Sequence, residues 1–386
     1  MTRKIEGGNS TATANRVAAS LRGLRSHIDK LDLQILKLVN ERASLAAEIG
    51  RVKNDHGNEV FSPAREEEVL QQILDANKGP LDASTIRAIY REIMSGSRAL
   101  QKVLKVAYLG PEDSFSHLAA VDRFGHAVEY MQVGSIAAVF EEVNRGHADF
   151  GVVPLENSID GRVADTLDMF LRLTQLKICA EVRLPIHHNL LSNWDQERIR
   201  RVYSKEQALS QCRTWLSKNM PQAHLIPVSS TSVAAQTALR EEGAAAVASR
   251  EAAVRYGLRI LFSDIEDSPS NETRFAVIGL QESRRSRHDK TAVMFKVPHH
   301  PGSLVDALNI FKQMKLNLTW IESFPAKEQK SEYVFFVDFE GHQEDPKVQR
   351  TLAALEKHCD EVTVLGSYPM ASVAEWISRG ARVIRH

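Results

Sequence analysis

From Leu21 to Ile49 the apolar residues Leu21, Leu24, Ile28, Leu31, Ile35, Leu38, Leu45 and Ile49 recur three, four or seven residues apart, with no proline before Pro63. That is the period of a helix with one apolar face. A helix of about 30 residues is longer than a free-standing globular helix runs, so its stripe demands a bundle or a second copy. A second run, Ala64 to Ala76, turns Val69, Leu70 and Ile73 inward. A third opens after Asp82, an N-cap residue, and carries Ile86, Ile89, Tyr90 and Ile93 on to Leu100. Three helices on short connections predict an all-α region.

The cations on these helices are the first functional signal. Arg42 and Lys53 stand eleven residues apart, which places them within about 20° of one helix face. Arg25, seventeen residues before Arg42, points about 100° away. Two cations share one wall and a third looks elsewhere, as if toward another subunit's site. Ser97 and Gln101, one turn apart, and the pair Arg65-Glu66 add polar groups. Most such charges are solvated surface, so spacing alone leaves both readings open.

The chain has 386 residues, which predicts two or three domains. Its 49 basic residues balance 49 acidic ones, so no global field favours nucleic acid or an anionic membrane, and anion binding falls to local clusters. Cys179, Cys212 and Cys359 are far apart and odd in number, which suits a reducing compartment and excludes a cysteine-rich zinc site. No run of about 18 apolar residues is present to span a membrane. Residues 1–17 lack an apolar signal core and are expected to be a disordered tail on a cytoplasmic protein. No cofactor or metal is expected; His299-His300 has no third ligand at metal spacing.

From Lys105 the texture changes to short apolar strands that end in polar turns. Val106 to Gly110 leads to Ser114-Phe115-Ser116, and Phe150 to Pro154 to Glu156-Asn157-Ser158. Ile226 to Val228 leads to Ser229-Ser230-Thr231-Ser232. The fourth stretch, Ser270-Asn271-Glu272-Thr273-Arg274-Phe275, opens an apolar run to Leu280. Each alone is an ordinary turn or N-cap. Together they predict a cleft between two α/β lobes that takes a small anion. After a charged linker the elements read strand, helix, two strands, helix, strand, a ferredoxin-like α+β unit.

Three resemblances follow from these motifs. Leu24-Arg25-x-x-Ile28-x-x-Leu31-Asp32, Glu41-Arg42, Lys53, Pro63-x-Arg65-Glu66 and Ser97-x-x-x-Gln101 resemble the all-helical chorismate mutases. The resemblance implies that Arg42 and the partner subunit's Arg25 grip the two carboxylates of chorismate. Lys53 and Gln101 would approach the breaking ether oxygen, and Glu66 and Ser97 would hold the hydroxyl and a carboxylate. Ser62 stands where that family commonly has aspartate, which leaves a weak mutase as one alternative. The chemistry suits these residue types, because a pericyclic rearrangement needs a folded dianion and donors, not a nucleophile.

The four turn motifs of the central region are similar to prephenate dehydratase, a two-lobed fold like that of periplasmic binding proteins. The resemblance implies that Thr273 serves the leaving hydroxyl and Arg274 anchors a carboxylate. Ser114, Glu156, Asn157, Ser158, Ser230, Thr231 and Asn271 would complete the pocket. Pro301-Gly302-Ser303-Leu304 and Glu322-Ser323-Phe324-Pro325 resemble the ligand loops of an ACT domain. Gly302, Ser303, Leu304, Glu322 and Ser323 would bind phenylalanine across a dimer interface. Phe324 replaces that family's arginine, so weakened or altered feedback by phenylalanine is expected. The resemblance runs from about Leu21 to Tyr368 and matches the bifunctional P-protein family of phenylalanine synthesis, which is cofactor-free and at least dimeric. Its expected parts are a mutase region at 18–104, a dehydratase at 105–284, an ACT domain at 290–368 and a tail at 369–386. The rival reading is a non-catalytic sensor of small anions or amino acids.

Overall fold

The computed structural model describes residues 8–55, 61–325 and 333–371, with side chains in the first segment from 20 to 53. Helix α1 spans Gly8–Asp55, 48 residues, so it begins inside the stretch expected to be a tail. Residues 1–7 and 372–386 lie outside the described residues. Helix α2 is Pro63–Ala76, and α3 is Ala83–Ala99, where Asp82 accepts from the Thr85 N–H at 2.8 Å as the N-cap reading expects. Among the described residues no helix is long and apolar enough to cross a membrane.

The chain divides into two compact units: residues 1–60 with 96–102, and 61–95 with 103–386. On α1, Leu24, Ile28, Leu31, Ile35, Leu38, Leu45 and Ile49 are 43–63% exposed, so the apolar stripe has no cover within the described chain. In the second unit Phe61 sits with its ring 5.1 Å from Phe124 and 4.9 Å from Phe150. Ser95 donates to the Phe124 carbonyl at 2.6 Å, and Arg91 pairs with Asp122 at 3.1 Å.

The first lobe contains β1 (Lys105–Leu109), α4 (Phe115–Phe124), β2 (Glu129–Val133), α5 (Ile136–Asn144), β3 (Phe150–Asn157), β4 (Gly161–Arg162), α6 (Ala164–Arg172) and β5 (Lys177–Pro185). The second contains β6 (Asn189–Leu191), β7 (Arg201–Ser204), α7 (Glu206–Gln211), α8 (Arg213–Asn219), β8 (His224–Pro227), α9 (Thr231–Arg240), β9 (Ala244–Ala248), α10 (Arg250–Tyr256) and β10 (Ile260–Phe262). The chain then returns to the first sheet as β11 (Glu272–Gly279), inserted antiparallel between β3 and β5 in the order β2-β1-β3-β11-β5. The second sheet runs β10-β6-β9-β7-β8. This return places the polar start of β11 where the two lobes meet.

The last part has β12 (Asp289–Lys296), α11 (Ser303–Gln313), β13 (Leu318–Pro325), β14 (Tyr333–Glu340), α12 (Pro346–His358) and β15 (Glu361–Pro369). Its antiparallel sheet, β13-β14-β12-β15, has the expected βαββαβ order. One sheet face packs against α11 and α12 through Phe295, Phe311, Val337 and Phe339. The other joins the first lobe, where Ile178 and Ile278 share a core with Met294, Phe336 and Tyr368. Burying each such side chain contributes about 1.5–3 kcal/mol. Gly366, at φ 150°, allows this approach, since a Cβ there would lie 2.3 Å from the Ile178 carbonyl oxygen.

Candidate active sites

The pairing of β11 with β3 sets Thr273 opposite Asn157 and Arg274 opposite Glu156. Neighbouring residues of a strand face opposite ways, so the two pairs serve different faces. On the cleft face, Asn157 is buried and its Oδ1 accepts from the backbone N–H groups of Ile159 and Asp160 at 3.0 Å each. That fixes its amide orientation, and Nδ2 must donate: to Thr273 Oγ1 at 2.8 Å and to Asn271 Oδ1 at 3.0 Å. Asn271 Nδ2 in turn donates to Gln211 Oε1 at 2.9 Å, while Gln211 Nε2 donates to Asp160 at 2.7 Å. The direction of the whole chain of bonds is thereby determined. Thr273 accepts from Asn157, and its own proton remains available to a group in the cleft.

The same logic assigns His188, which is 1% exposed. Its Nε2 lies 2.9 Å from Gln211 Oε1 and must carry the proton, which leaves Nδ1 bare and without a partner among the described residues. Burial lowers its pKa, so the ring is neutral. Gln211 and His188 come from the second lobe, Asn157 and Thr273 from the first, so the network crosses the cleft floor. At the rim, Arg255 holds Asp113 and Glu112 at 2.7 Å each, a clasp between lobes.

The remaining cleft candidates divide. Asn271 belongs to the network above. Ser158 donates to the Ser270 carbonyl at 3.1 Å and accepts from Glu272 N–H at 3.0 Å, tying β3 to the approach of β11. Ser114 accepts from His117 N–H at 3.3 Å and donates to the Leu109 carbonyl at 3.0 Å; Ser230 accepts from Val233 N–H at 3.1 Å. Both hydroxyls act as N-caps, and Thr231 is the first residue of α9 behind Ser230.

Arg274 and Glu156 need correction as pocket residues. Arg274 is 4% exposed and faces away from Thr273, donating from Nε to Glu181 at 2.8 Å and from Nη2 to Asp338 and to Tyr368 OH, the latter at 3.0 Å. Three of its five N–H donors are so engaged, and the whole group is buried on the face of β11 turned from Thr273. Glu156 shares that face, and burial raises its pKa against the opposing pull of Arg274 and Arg183.

On α1, Arg42 Nη1 donates to Ser97 Oγ at 2.9 Å. Gln101 lies flat on Gly50, where a Cβ would come within 2.4 Å of its Cγ, and its Oε1 is buried without a partner among the described residues. Lys53, half-buried, follows Gly50 by three residues. Arg42, Ser97, Gln101 and Lys53 thus belong to one compact unit. Arg25 is exposed on the same continuous helix. Seventeen residues at about 1.5 Å each set it about 25 Å from Arg42 along the axis. Glu66 lies in the second unit, paired with Arg123 at 3.3 Å, and Ser62 precedes α2 without capping it by its side chain.

In the last unit a groove of about 440 Å³ is lined by Val297, His300, Gly302, Ser303, Leu304 and Tyr333, among others. Ser303 Oγ donates to the His300 carbonyl at 2.9 Å. Glu322 and Ser323 do not line it; Glu322 pairs with Arg162 of the first lobe at 3.0 Å. Phe324 is 7% exposed and sits in the core shared with that lobe, so the missing cation is replaced by packing there, not lost from the groove.

Family models match three consecutive segments: chorismate mutase type II at 24–102, prephenate dehydratase at 106–283 and ACT domain at 291–357. The bifunctional chorismate mutase/prephenate dehydratase of Aquifex aeolicus is 45% identical over 360 residues, covering 92% of this chain and 99% of the relative. That of Pseudomonas aeruginosa is 42% identical over 358 residues, covering 91% and 98%. The chain belongs to the bifunctional chorismate mutase/prephenate dehydratase family. A prephenate dehydratase from Arthrobacter aurescens, solved in complex with L-Phe, superimposes with a TM-score of 0.65 at 32% identity, covering 69% of this chain and 90% of that one.

Within this bifunctional enzyme, sequence reasoning missed Gln211, His188 and Asp160. The first two carry no motif of their own and reach the site only through the second lobe. Asp160 follows Asn157 by three residues and was within reach of the same motif. Among the described residues, His187, Asp264 and Glu266 could hold a metal, their ligand atoms lying within 4.8 Å of one another. Glu266 bonds His187 at 2.7 Å and raises its pKa, which fits an ion pair better than a metal-ligating neutral ring.

Proposed function

We propose that the protein is a homodimeric, cytoplasmic enzyme catalysing two consecutive reactions. Its helical region rearranges chorismate to prephenate, and its cleft converts prephenate to phenylpyruvate. The observation that carries the dehydratase reading is the fixed bond direction at Thr273, whose hydroxyl keeps a proton for the cleft. In the reaction the bond to the ring carboxylate breaks and carbon dioxide leaves. Its electron pair enters the ring, the ring C–O bond breaks, and the departing hydroxide leaves as water with a proton from the medium. Threonine is a poor acid, so Thr273 assists by hydrogen bonding to that oxygen. Asn157 holds the Thr273 side chain so that its proton faces the cleft.

For the mutase, Lys53 and Gln101 aim at the ether oxygen while Arg42 and Ser97 take one end of the dianion. The separation of about 25 Å between Arg25 and Arg42 supports a second chain supplying the other cation, and the exposed stripe of α1 supports the same dimer. Three buried free thiols suit a reducing compartment. The groove beside Gly302 takes phenylalanine, and Glu322 and Ser323 meet it from the partner subunit or not at all.

The test is to supply the purified protein with chorismate and, separately, prephenate, and to follow phenylpyruvate. Product from both supports both sites. Product from prephenate alone points to a weak mutase, with Ser62 the first suspect. Silence with both favours a sensor.

A further inference from the structure

Five side chains meet between the dehydratase sheet and the ACT sheet: Arg274 of β11, Glu181 of β5, Lys290 of β12, Asp338 of β14 and Tyr368 of β15. All are buried, from 0% to 8% exposed. Two cations face two carboxylates, and the pairs cross the boundary in both directions. Arg274 of the dehydratase sheet holds Asp338 and the Tyr368 hydroxyl of the ACT sheet. Glu181 of the dehydratase sheet holds Lys290 of the ACT sheet and also accepts from Arg274 Nε at 2.8 Å. Lys290 reaches Asp338 at 3.6 Å and lies 5.5 Å from the centre of the Tyr368 ring. The guanidinium carbon of Arg274 is 5.4 Å from the Trp320 ring centre.

Such a cluster is a poor way to gain stability, because apolar packing of the same volume does as well. It is an effective way to fix register. Sliding one sheet over the other strips buried charges of their partners in a low-dielectric interior, so the boundary moves as a unit or not at all. What it fixes is the catalytic strand. Arg274 is bonded directly to Thr273, which Asn157 holds from the opposite face at 2.8 Å. The other end of the linkage is the groove: β14 carries Tyr333 and Phe335, which line it, and Asp338, which faces the cluster.

We propose that this cluster is the route by which the ACT sheet sets the position of Thr273, with Arg274 the positioning residue and Asp338 its ACT-side partner. The proposal rests on the reading above of Thr273 as the dehydration residue and of the groove as a phenylalanine site.

The test uses the full-length protein, Asp338→Asn and Tyr368→Phe, with L-phenylalanine as probe. Four quantities are measured: thermal midpoint, phenylalanine binding by calorimetry, dehydratase kcat and KM with and without phenylalanine, and mutase rate. The expected result is that Asp338→Asn still binds phenylalanine and keeps its mutase rate. Its dehydratase kcat falls more than its KM changes, and the factor by which phenylalanine alters turnover shrinks to within about twofold of unity. Tyr368→Phe, which keeps the ring and removes one hydrogen bond, shows a smaller shift of the same kind. A merely structural role would lower thermal stability and leave the phenylalanine factor unchanged; that result in both variants overturns the proposal. A wild-type enzyme that turns over prephenate but ignores bound phenylalanine defeats the effector reading itself, a failure visible before any variant is made.

Discussion

The helix α1 and the interlobe cleft solve the same problem, holding a small dianion, in opposite ways. In the cleft the side-chain amides bond within one chain: Asn157, Asn271, Gln211 and Asp160 follow in a single determined sequence. On α1 the apolar stripe is exposed and Arg25 stands far along the helix from Arg42, while the Gln101 carbonyl against Gly50 has no partner among the described residues. A finished site and an unfinished one lie in the same molecule. The difference teaches that an uncovered apolar stripe, with cations set far apart along it, marks a site that one chain does not close alone.

The sharpest way to separate the two is Thr273→Ala. It should lower dehydratase turnover by about 10²–10³-fold, the range for one lost charge-stabilising donor, and leave the mutase rate unchanged in the same preparation. A variant with near-normal phenylpyruvate production would remove Thr273 from the chemistry. The reciprocal change, Gln101→Ala, should cost the mutase about 10²–10³-fold, as loss of one charge-stabilising donor does, with the dehydratase intact. If both activities fall together, the two sites are not independent and the contrast fails.

Two smaller effects probe the finished half. Gly366→Ala drives a Cβ into the Ile178 carbonyl, and overpacking of this kind costs about 1–3 kcal/mol. A lowered thermal midpoint with unchanged α1 helicity is expected; an unaltered midpoint would mean that the sheets do not meet there. The smallest effect is electrostatic. The hydrogen bond that His187 donates to the Glu266 carboxylate, opposed by burial, raises the His187 pKa, so the folded state holds the proton more tightly. That stabilisation is fully present below the unfolded value of about 6.5 and is lost as pH rises through the folded value. The stability gap between wild type and His187→Gln should therefore close with rising pH; a gap that widened would refute the pairing.

Much of this was legible in the sequence. The period of α1, the Asp82 cap, the four strand-end motifs and the βαββαβ order stand where the residues placed them. The Arg274 assignment failed on a rule the sequence itself contains: next to a cleft-facing Thr273, a strand neighbour must face the other way. Glu156 failed beside Asn157 for the same reason. Ser114 and Ser230 took the ordinary N-cap role, since a hydroxyl at a helix start bonds first to its own helix. Gln211 and His188 were not legible, because long-range folding alone brings α7 and β6 to β11. Phe324 looked like a lost contact in a ligand loop, but alternation along β13 turns it into the core beside Trp320 and Glu322.

The most direct test of the contrast is subunit mixing. Arg25→Ala and Arg42→Ala proteins, each without mutase activity, are unfolded together, refolded and assayed beside an equal mixture of Thr273→Ala and Asn157→Ala. If the mutase site is shared between two copies, half of the mixed dimers' sites regain both cations, and about one quarter of wild-type mutase activity returns. The dehydratase mixture should recover nothing, because Thr273 and Asn157 serve one cleft in one chain. No mutase recovery, or dehydratase recovery instead, would contradict the account.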